Sequence, residues 1–309
     1  MEAVKRRSGP NPFNGVSPVA NSLINIFFTI YSLCCILPLV LIVMVSLSNE
    51  QDILTMGYSF IPNRIDLTAY EFLLEDWRQI LRSYGVTFFV TVVGTLISLI
   101  VMSLYAYPIS RTDFPQRKFF TFFIFFTMLF NGGLVPWYLV YVQMLELRNN
   151  IWALILPLIV SAFFVLIIRT FFQQTIPSAV LESAKIDGAG ELRIFFQIVM
   201  PLSLPVLATV ALFSTLNYWN DWFLSLVFIT DDKTLSIQYL MYKTLLNIQF
   251  MASNSNAVAA ISAAGGVVSY PNETVRMAMA IVGIGPIVFA YPFFQKYFVK
   301  GLTVGAVKG

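Results

Sequence analysis

Histidine is absent from this 309-residue chain, and charged residues are scarce, at 11% of the composition. Without imidazole, Ser-His-Asp and Cys-His catalysis, histidine-ligated zinc and imidazole proton shuttles are all excluded. A soluble domain of ordinary composition carries about 25% charged residues. This chain has too few charges to cover a surface that faces water.

Other chemistry is missing as well. The two cysteines, Cys34 and Cys35, are adjacent within an apolar run, so we predict no disulfide framework and interpret both as small core hydrophobes rather than redox or metal groups. No G-x-x-x-x-G-K-[ST] sequence occurs, so any ATP must bind another chain. We predict no catalytic residue, no metal site and no cofactor on this chain. The net charge of +3 gives no indication of a nucleic-acid partner.

Apolar residues are abundant instead. Hydrophobic residues make up 58% of the chain, the mean hydropathy is +0.76, and 29 residues are Phe. The surplus apolar surface must face lipid. The sequence therefore predicts an all-α integral membrane protein with a single domain over 1–309 and six transmembrane helices, near 19–46, 84–107, 119–145, 151–172, 202–229 and 275–299.

The distribution of basic residues orients these helices. Lys5, Arg6 and Arg7 precede the first apolar run, which is too long for a signal-peptide core. If the N-terminus is cytoplasmic, the inner segments hold most of the 19 Lys and Arg residues, in agreement with the positive-inside rule. We therefore expect a multi-pass protein of the cell membrane with both termini in the cytoplasm.

The inner segment 177–201 has the pattern of a helical hairpin. Ser178 is a plausible N-cap, and Val180, Leu181 and Ala184 share one face of a first helix. Gly188 permits the chain reversal that ends this helix. A second apolar stripe follows and leads to Pro201; it consists of Leu192, Phe195, Phe196 and Val199. Such a hairpin suits docking into a groove of a cytoplasmic partner, although it would also serve merely to cap the bundle.

This segment resembles the EAA loop of ABC importer permeases, whose pattern is E-A-A-x-x-x-G, nine residues, then I-x-L-P. The pattern is matched by Glu182, Ala184, Gly188, Ile198 and Pro201, whereas Ser183 and Met200 depart from it slightly in size and polarity. The stretches that begin at Phe130, Asn149, Trp219, Gln295 and Gly305 also resemble carbohydrate permeases of the maltose-type family, on the side of its second permease subunit. The closest likeness is to permeases for aldouronate and other complex oligosaccharides, over about residues 15 to 309.

The resemblance implies a type I ABC importer permease fold in a bacterial cell membrane, with 177–201 as a cytoplasmic coupling loop. It implies a homologous second permease subunit, two cytoplasmic ATP-binding subunits that hold ATP and Mg²⁺, and an extracytoplasmic solute-binding protein. The function implied is ATP-driven alternating access for an oligosaccharide, with no enzyme activity of this chain's own. The ATPase-coupling residues would be Glu182, Ser183, Ala184, Lys185, Asp187 and Gly188.

Polar residues inside the spans are candidates for the sugar path. Asp221 falls in the outer part of the fifth span, where a carboxylate should face the bundle or a wet cavity, and the neighbouring indoles would suit stacking on sugar rings. The path candidates are Asn131, Asn217, Trp219, Asn220, Asp221 and Trp222. The alternative is an aromatic belt with structural hydrogen bonds. The outer segment 231–274 is predicted either to contact the binding protein or to lie as an amphipathic helix on the surface.

Two rival functions remain open. An ion-coupled secondary sugar transporter would need ionisable groups within the membrane, for which Asp221 is the only candidate. An integral membrane enzyme would need clustered carboxylates at one membrane face. The acidic outer loop 49–83 is the only such cluster, and its spacing matches no known site.

Overall fold

The computed structural model describes residues 17–253, 272–290 and 292, and within them the chain is helical. The only β-type pairing in these ranges is an isolated bridge between Ser48 and Ile65. The predicted all-α class is therefore confirmed. The α-helices are α1 Pro18–Ser46, α2 Glu50–Met56, α3 Thr68–Leu74, α4 Trp77–Ser110, α5 Arg117–Leu129, α6 Leu134–Leu139, α7 Ala162–Thr175, α8 Ser178–Ile186, α9 Glu191–Ile194, α10 Met200–Leu202, α11 Leu204–Trp219, α12 Phe223–Phe228, α13 Ile237–Ser253 and α14 Asn272–Ile284.

Short helical turns of other types connect these helices. Two π-helical turns have the wider i→i+5 pitch; they are Val140–Met144 and Phe195–Val199. The 3₁₀ turns are Ile151–Leu154, Leu156–Leu158, Asp232–Thr234 and Gly285–Phe289.

Three helical segments in the described ranges are long and apolar enough to cross a membrane on their own: α1, α4 and Asn272–Phe289. Three further crossings arise only if each of three bent pairs of segments counts as one span. The predicted number of six spans and the single domain over 1–309 stay predictions. The predicted end of the sixth span, near residue 299, lies outside the described residues.

The bends occur where glycine, proline and serine interrupt the predicted spans. The third predicted span is not one continuous helix, because α5 ends at Leu129, α6 begins at Leu134, and the two directions differ by 114°. Between them Gly133 has a φ of +85°, which favours glycine. The fourth segment bends by 51° after Leu158, and the helix that leads into α11 bends by 82° at Ser203, between Pro201 and Pro205.

The chain divides into two compact units, each discontinuous in sequence. The first contains residues 1–72 and 271–281. In it α1 exposes nearly its whole length, including Cys34 and Cys35. The interpretation of these cysteines as core residues is therefore wrong: their face of α1 meets no other part of this unit. Near its end, Ser46 Oγ lies 2.8 Å from the Tyr70 hydroxyl, where either oxygen can donate.

The carboxylate of Glu50 holds the start of α14 within this first unit. Its Oε1 accepts hydrogen bonds from the backbone N–H groups of Asn272 and Glu273, at 3.0 Å each. Its Oε2 accepts from the backbone N–H and the hydroxyl of Thr274, at 3.0 and 2.8 Å. A carboxylate at a helix N-terminus satisfies unpaired N–H groups and complements the helix dipole. The acidic loop 49–83 therefore has a structural role at Glu50.

In the second unit, residues 73–270 and 282–309, α4 is the central helix. It extends beyond the predicted 84–107 at both ends and packs mainly against α11 and α7. The face that it buries carries small and hydroxyl-bearing side chains, as is common where membrane helices approach closely. These residues include Ser83, Thr87, Thr91, Gly94, Thr95, Ser98, Ser103 and Ala106.

The tightest contact on this face, which we call the Gly94 seam, consists of Gly94, Ser98 and Tyr218. The Tyr218 ring lies so close to Gly94 that a Cβ there would meet three ring atoms at 2.6 to 2.8 Å. The Tyr218 hydroxyl lies 3.0 Å from Ser98 Oγ and donates to the carbonyl of Ile155, also at 3.0 Å. The ring is therefore fixed at both its edge and its tip.

At the opposite end of α4 from the 177–201 hairpin, two contacts join distant parts of the chain. Asn149 has a φ of +55°, and its Oδ1 accepts from the Thr230 N–H, the Thr230 hydroxyl and the Asp231 N–H at 2.6, 3.0 and 3.2 Å. Gln79 Nε2 donates to the carbonyl of Asp232 at 2.5 Å. These bonds hold the start of α4, the turn before Ile151 and the end of α12 together.

Candidate functional site

The hairpin predicted for 177–201 is present. Its first helix, α8, begins at Ser178, but Pro177 occupies the N-cap position and no side chain caps the helix. The prediction of Ser178 as N-cap is therefore wrong by one residue. Leu181 and Ala184 are buried at the inner face of α8, as the i, i+3 spacing requires, whereas Val180, predicted to share that face, is 37% exposed. The other predicted coupling residues are exposed: Glu182, Ser183, Lys185, Asp187 and Gly188.

The first helix ends at Gly188, which has a φ of +80°. The N–H of Ala189 donates to the carbonyl of Ala184 at 2.9 Å, and the N–H of Gly188 donates to that of Lys185 at 3.0 Å. This pair of bonds is the Schellman motif, which needs a left-handed residue at the position of Gly188. The predicted glycine turn is present, with its hydrogen-bonding pattern now defined.

The second helix runs from Glu191 to Leu202 as α9, the π-helical turn Phe195–Val199 and α10. Phe195 and Val199 are buried, whereas Leu192 and Phe196 are 68% and 51% exposed. The prediction that all four apolar residues share one stripe is therefore wrong for Leu192 and Phe196. A spacing of 3.6 residues per turn does not hold through a π-helical turn, so the faces shift there.

Four charged side chains, together with one tyrosine hydroxyl, join the hairpin to the end of α4; we call Arg111, Asp113, Lys185 and Glu191 the charged junction. Lys185 Nζ lies 2.9 Å from Glu191 Oε1 and 3.1 Å from Asp113 Oδ2. Arg111 donates to both Asp113 oxygens, from Nε at 2.9 Å and from Nη2 at 2.6 Å. Its Nη1 lies 3.6 Å from Glu191 Oε2, which also accepts from the Tyr107 hydroxyl at 2.6 Å.

These contacts change the proton affinities of the groups in the junction. Hydrogen bonds from Arg111, and then from Lys185, hold the pKa of the Asp113 carboxyl well below its usual range. Hydrogen bonds to Glu191 and Asp113 raise the pKa of Lys185, and the bond to Asp113 raises the pKa of Arg111. Each shift favours the charged form, so all three groups are ionised at neutral pH.

A cavity of about 750 Å³ opens beside the hairpin. Its lining comes from the end of α4, the connection from α7 to α8, and the side of α8 that carries Leu181, Glu182 and Lys185. Polar and apolar groups both face it. The hairpin therefore borders an open recess.

Trp219 and Asp221, two of the predicted sugar-path residues, have structural partners. Trp219 is only 3% exposed, and its Nε1 donates to the carbonyl of Gly283 at 3.1 Å. Asp221 Oδ2 accepts from the N–H of Leu224 at 3.1 Å, in the first turn of α12. Both contacts match the structural alternative given for this segment.

The remaining path candidates are more accessible. Asn217, Asn220 and Trp222 are exposed, and the Trp222 ring lies 4.6 Å from that of Tyr242. Asn131 is exposed as well, and its Oδ1 accepts from the N–H of Gly133 at 2.8 Å. The structure does not gather the six candidates into one site.

Sequence reasoning missed Tyr107, Arg111, Asp113 and Glu191. Their contacts cross long separations, with Lys185 and Asp113 lying 72 residues apart and Tyr107 and Glu191 84 apart. The available signal was an Arg-x-Asp sequence immediately after an apolar span, with an acidic residue just after the glycine turn. In the sequence alone, those charged residues look like ordinary solvated ones.

The sequence model of the family described as "Binding-protein-dependent transport system inner membrane component" matches residues 115–304. The polygalacturonan/rhamnogalacturonan transport system permease protein YtcP of Bacillus subtilis (strain 168) is 39% identical over 283 residues, which cover 92% of this chain and 96% of that protein. Protein LplC of the same organism is 37% identical, covering 89% and 90% of the two chains. A solved structure of a bacterial ABC transporter, involved in the import of the acidic polysaccharide alginate, is 30% identical with a TM-score of 0.75; the match covers 93% of this chain and all of that one.

Proposed function

The chain belongs to the family of inner membrane components of binding-protein-dependent transport systems, and we propose that it works as the permease subunit of an ATP-driven sugar importer. The observation that carries the proposal is the hairpin of α8 and the helix after it. Its inner face is packed into the chain at Leu181, Ala184 and Phe195, while its outer face is left bare. A rigid element with one face free is suited to engage a partner.

The bare face has the chemistry of a docking surface. Ile186 on the first helix is 87% exposed, and Leu192 and Phe196 on the second helix are also exposed, so apolar groups of the hairpin face outward. Glu182 and Asp187 lie on the same hairpin and have no ion-pair partner within the described ranges. Apolar groups ringed by unpaired charges are typical of interaction sites. Our proposed coupling residues are Glu182, Ser183, Asp187 and Gly188 on the bare face, together with Ala184 and Lys185, whose side chains face back into the chain.

The partner at this face is an ATP-binding subunit. The sequence of this chain contains no P-loop, so ATP and Mg²⁺ would be held by two cytoplasmic subunits. A homologous second permease and an extracytoplasmic solute-binding protein complete the assembly. ATP-driven closure of the cytoplasmic subunits would shift the permease pair between inward-facing and outward-facing states. In this arrangement the chain is a multi-pass protein of the bacterial cell membrane, its termini lie in the cytoplasm, and the hydrolysis is not its own.

The substrate that we propose is an oligosaccharide, with uronate-containing glycans first among the classes to test. Support comes from two relatives, one named for polygalacturonan and rhamnogalacturonan and one described for alginate, an acidic polysaccharide. Further relatives named for arabinooligosaccharides, and for melibiose, raffinose and stachyose, are 28% and 29% identical. Neutral oligosaccharides are therefore the necessary comparison.

The rival mechanism, ion-coupled sugar transport, would depend on Asp221. That carboxylate already accepts a hydrogen bond from the backbone of α12. A coupling-ion site needs several ionisable or polar ligands within the membrane, and Asp221 is the only ionisable candidate in the sequence, so ATP-driven transport is favoured.

The test is co-purification of the tagged chain with its co-expressed partners, followed by reconstitution into liposomes. Uptake of oligogalacturonides, alginate oligosaccharides, arabino-oligosaccharides and raffinose is then measured with ATP inside, and separately with an imposed ion gradient and no ATP. We expect ATP-binding subunits to co-purify and ATP to drive uptake of at least one glycan. Uptake that follows the ion gradient in ATP-free vesicles would overturn the proposal.

A further inference from the structure

The charges of the hairpin fall into two groups. Lys185 and Glu191 point back toward the end of α4, where they contact Asp113, Arg111 and Tyr107. The others face outward and have no ion pair in the part of the chain that the structure describes; they are Glu182, Asp187 and Arg193. The first group therefore performs a task inside this chain, separate from contact with a partner.

The charged junction connects three separate segments. Asp113 comes from the connection after α4, Lys185 from the last turn of the first hairpin helix, and Glu191 from the first position of the second. Lys185 bridges two carboxylates, and Arg111 reaches the same two. Two cations and two anions thus form a closed, electrically balanced set that crosses the Gly188 turn.

The junction rests on a rigid base. Arg111 is only 11% exposed at its side chain, and its guanidinium carbon lies 5.7 Å from the centre of the Tyr107 ring. On the other side, the Tyr107 ring lies 5.4 Å from the ring of the fully buried Phe195. The bidentate Arg111–Asp113 pair fixes orientation as well as distance. The hairpin cannot move relative to the end of α4 without breaking several of these contacts at once.

From this geometry we infer that Arg111, Asp113 and Glu191, with Lys185, are positioning residues that transmit displacement of the hairpin to α4. The inference rests on the proposed function, since it requires the hairpin to be moved by an ATP-binding subunit. It assigns the junction no part in holding that subunit. Because α4 is the central helix of its unit, a pull at its end would reach α7 and α11, which pack along it.

The test compares E191Q, D113N and K185M in the purified complex with its ATP-binding subunits. E191Q and D113N keep the shape of the side chain while removing its charge, so they guard against simple misfolding. The control is K118M, which removes an exposed cation near the same end of α4 that has no ion pair within the described residues. The readout is ATP hydrolysed per glycan imported, using the panel glycan that the wild-type complex takes up.

We expect all three variants to retain their ATP-binding subunits and to hydrolyse ATP, while the ATP used per glycan rises at least about threefold, as for residues along a coupling path. The double variant K185M/E191Q should be no worse than its poorer parent, because both substitutions break one network. A ratio equal to that of K118M would overturn the inference, and so would loss of the ATP-binding subunits, which would make these residues docking groups. If the wild-type chain fails to bind those subunits, the proposed function fails instead.

Discussion

The contacts at the middle of α4 and at its C-terminal end are chemically opposite. The Gly94 seam is uncharged and close-packed, and a hydroxyl with two partners fixes its one large ring. The charged junction is partly exposed, with Lys185 40% and Asp113 55% accessible at their side chains. Close packing responds to a change of one methyl group, whereas an exposed ion pair contributes only about 0.2 to 1 kcal/mol. The seam is suited to hold helices together through packing alone, whereas the junction links the hairpin to α4 through several contacts that each contribute little.

The largest effect should come from Gly94→Ala. The new methyl group would overlap three atoms of a ring that cannot easily retreat, so we expect a loss of about 2 to 3 kcal/mol, the upper part of the overpacking range. Thermal unfolding of the detergent-solubilised protein measures it. Gly85→Ala on the same helix is the matched control, since a Cβ there meets nothing within 4 Å. Equal melting temperatures for the two variants would mean that the seam is not close-packed.

A smaller effect is expected for Gly188→Ala in the hairpin. The site is open, but a φ of +80° costs a residue with a Cβ about 1 to 2 kcal/mol. Gly190→Ala is the control, because its φ of −70° suits any residue and its surroundings are equally open. We expect Gly188→Ala to lower the melting temperature by a few degrees, less than Gly94→Ala does, and to lower glycan uptake per ATP, while Gly190→Ala changes neither. The same uptake in both variants would contradict a role for the turn.

The smallest effect should be that of pH. Asp113 has a lowered pKa, so its stabilising contribution is complete above its unfolded pKa of about 3.9 and is lost as the pH falls through the lower folded value. Lys185 has a raised pKa, so its contribution is complete below about 10.4 and is lost as the pH rises through the higher folded value.

Between about pH 5 and 9 the junction should therefore contribute a constant amount. The difference in melting temperature between wild type and D113N, measured across that range, checks this. A difference that changes steadily with pH inside the range would show that other titrating groups control the junction.

Much of the hairpin was predictable because its signals are local. Leu181 and Ala184 follow helical spacing, and a glycine at position 188 is what a left-handed helix end requires. The split of Leu192 and Phe196 from Phe195 and Val199 was not, because a π-helical turn leaves no mark in the spacing of apolar residues. The all-α membrane class followed from composition alone.

The misses have a common physical origin in contacts between distant segments. The residues of the junction look like solvated charges until α4 and the hairpin are brought together. Tryptophan is a residue type that stacks on sugar rings, yet the Trp219 indole is buried and donates a hydrogen bond to the carbonyl of Gly283. The exposure of Cys34 and Cys35 reflects the same limit, since hydropathy does not distinguish a lipid-facing residue from a core residue.

The contact between Lys185 and Asp113 also constrains the number of membrane crossings. Two touching residues lie on one side of the bilayer, so the chain from 113 to 185 crosses an even number of times, and its two bent segments cross together or not at all. The Asn149–Thr230 bond ties the third bent segment to the second in the same way. Gln79 donates to the carbonyl of Asp232, so the number of crossings made by α4 and the three bent segments together is even. If α4 crosses once, parity predicts that each of the three bent segments also traverses the bilayer, as the six-span prediction requires.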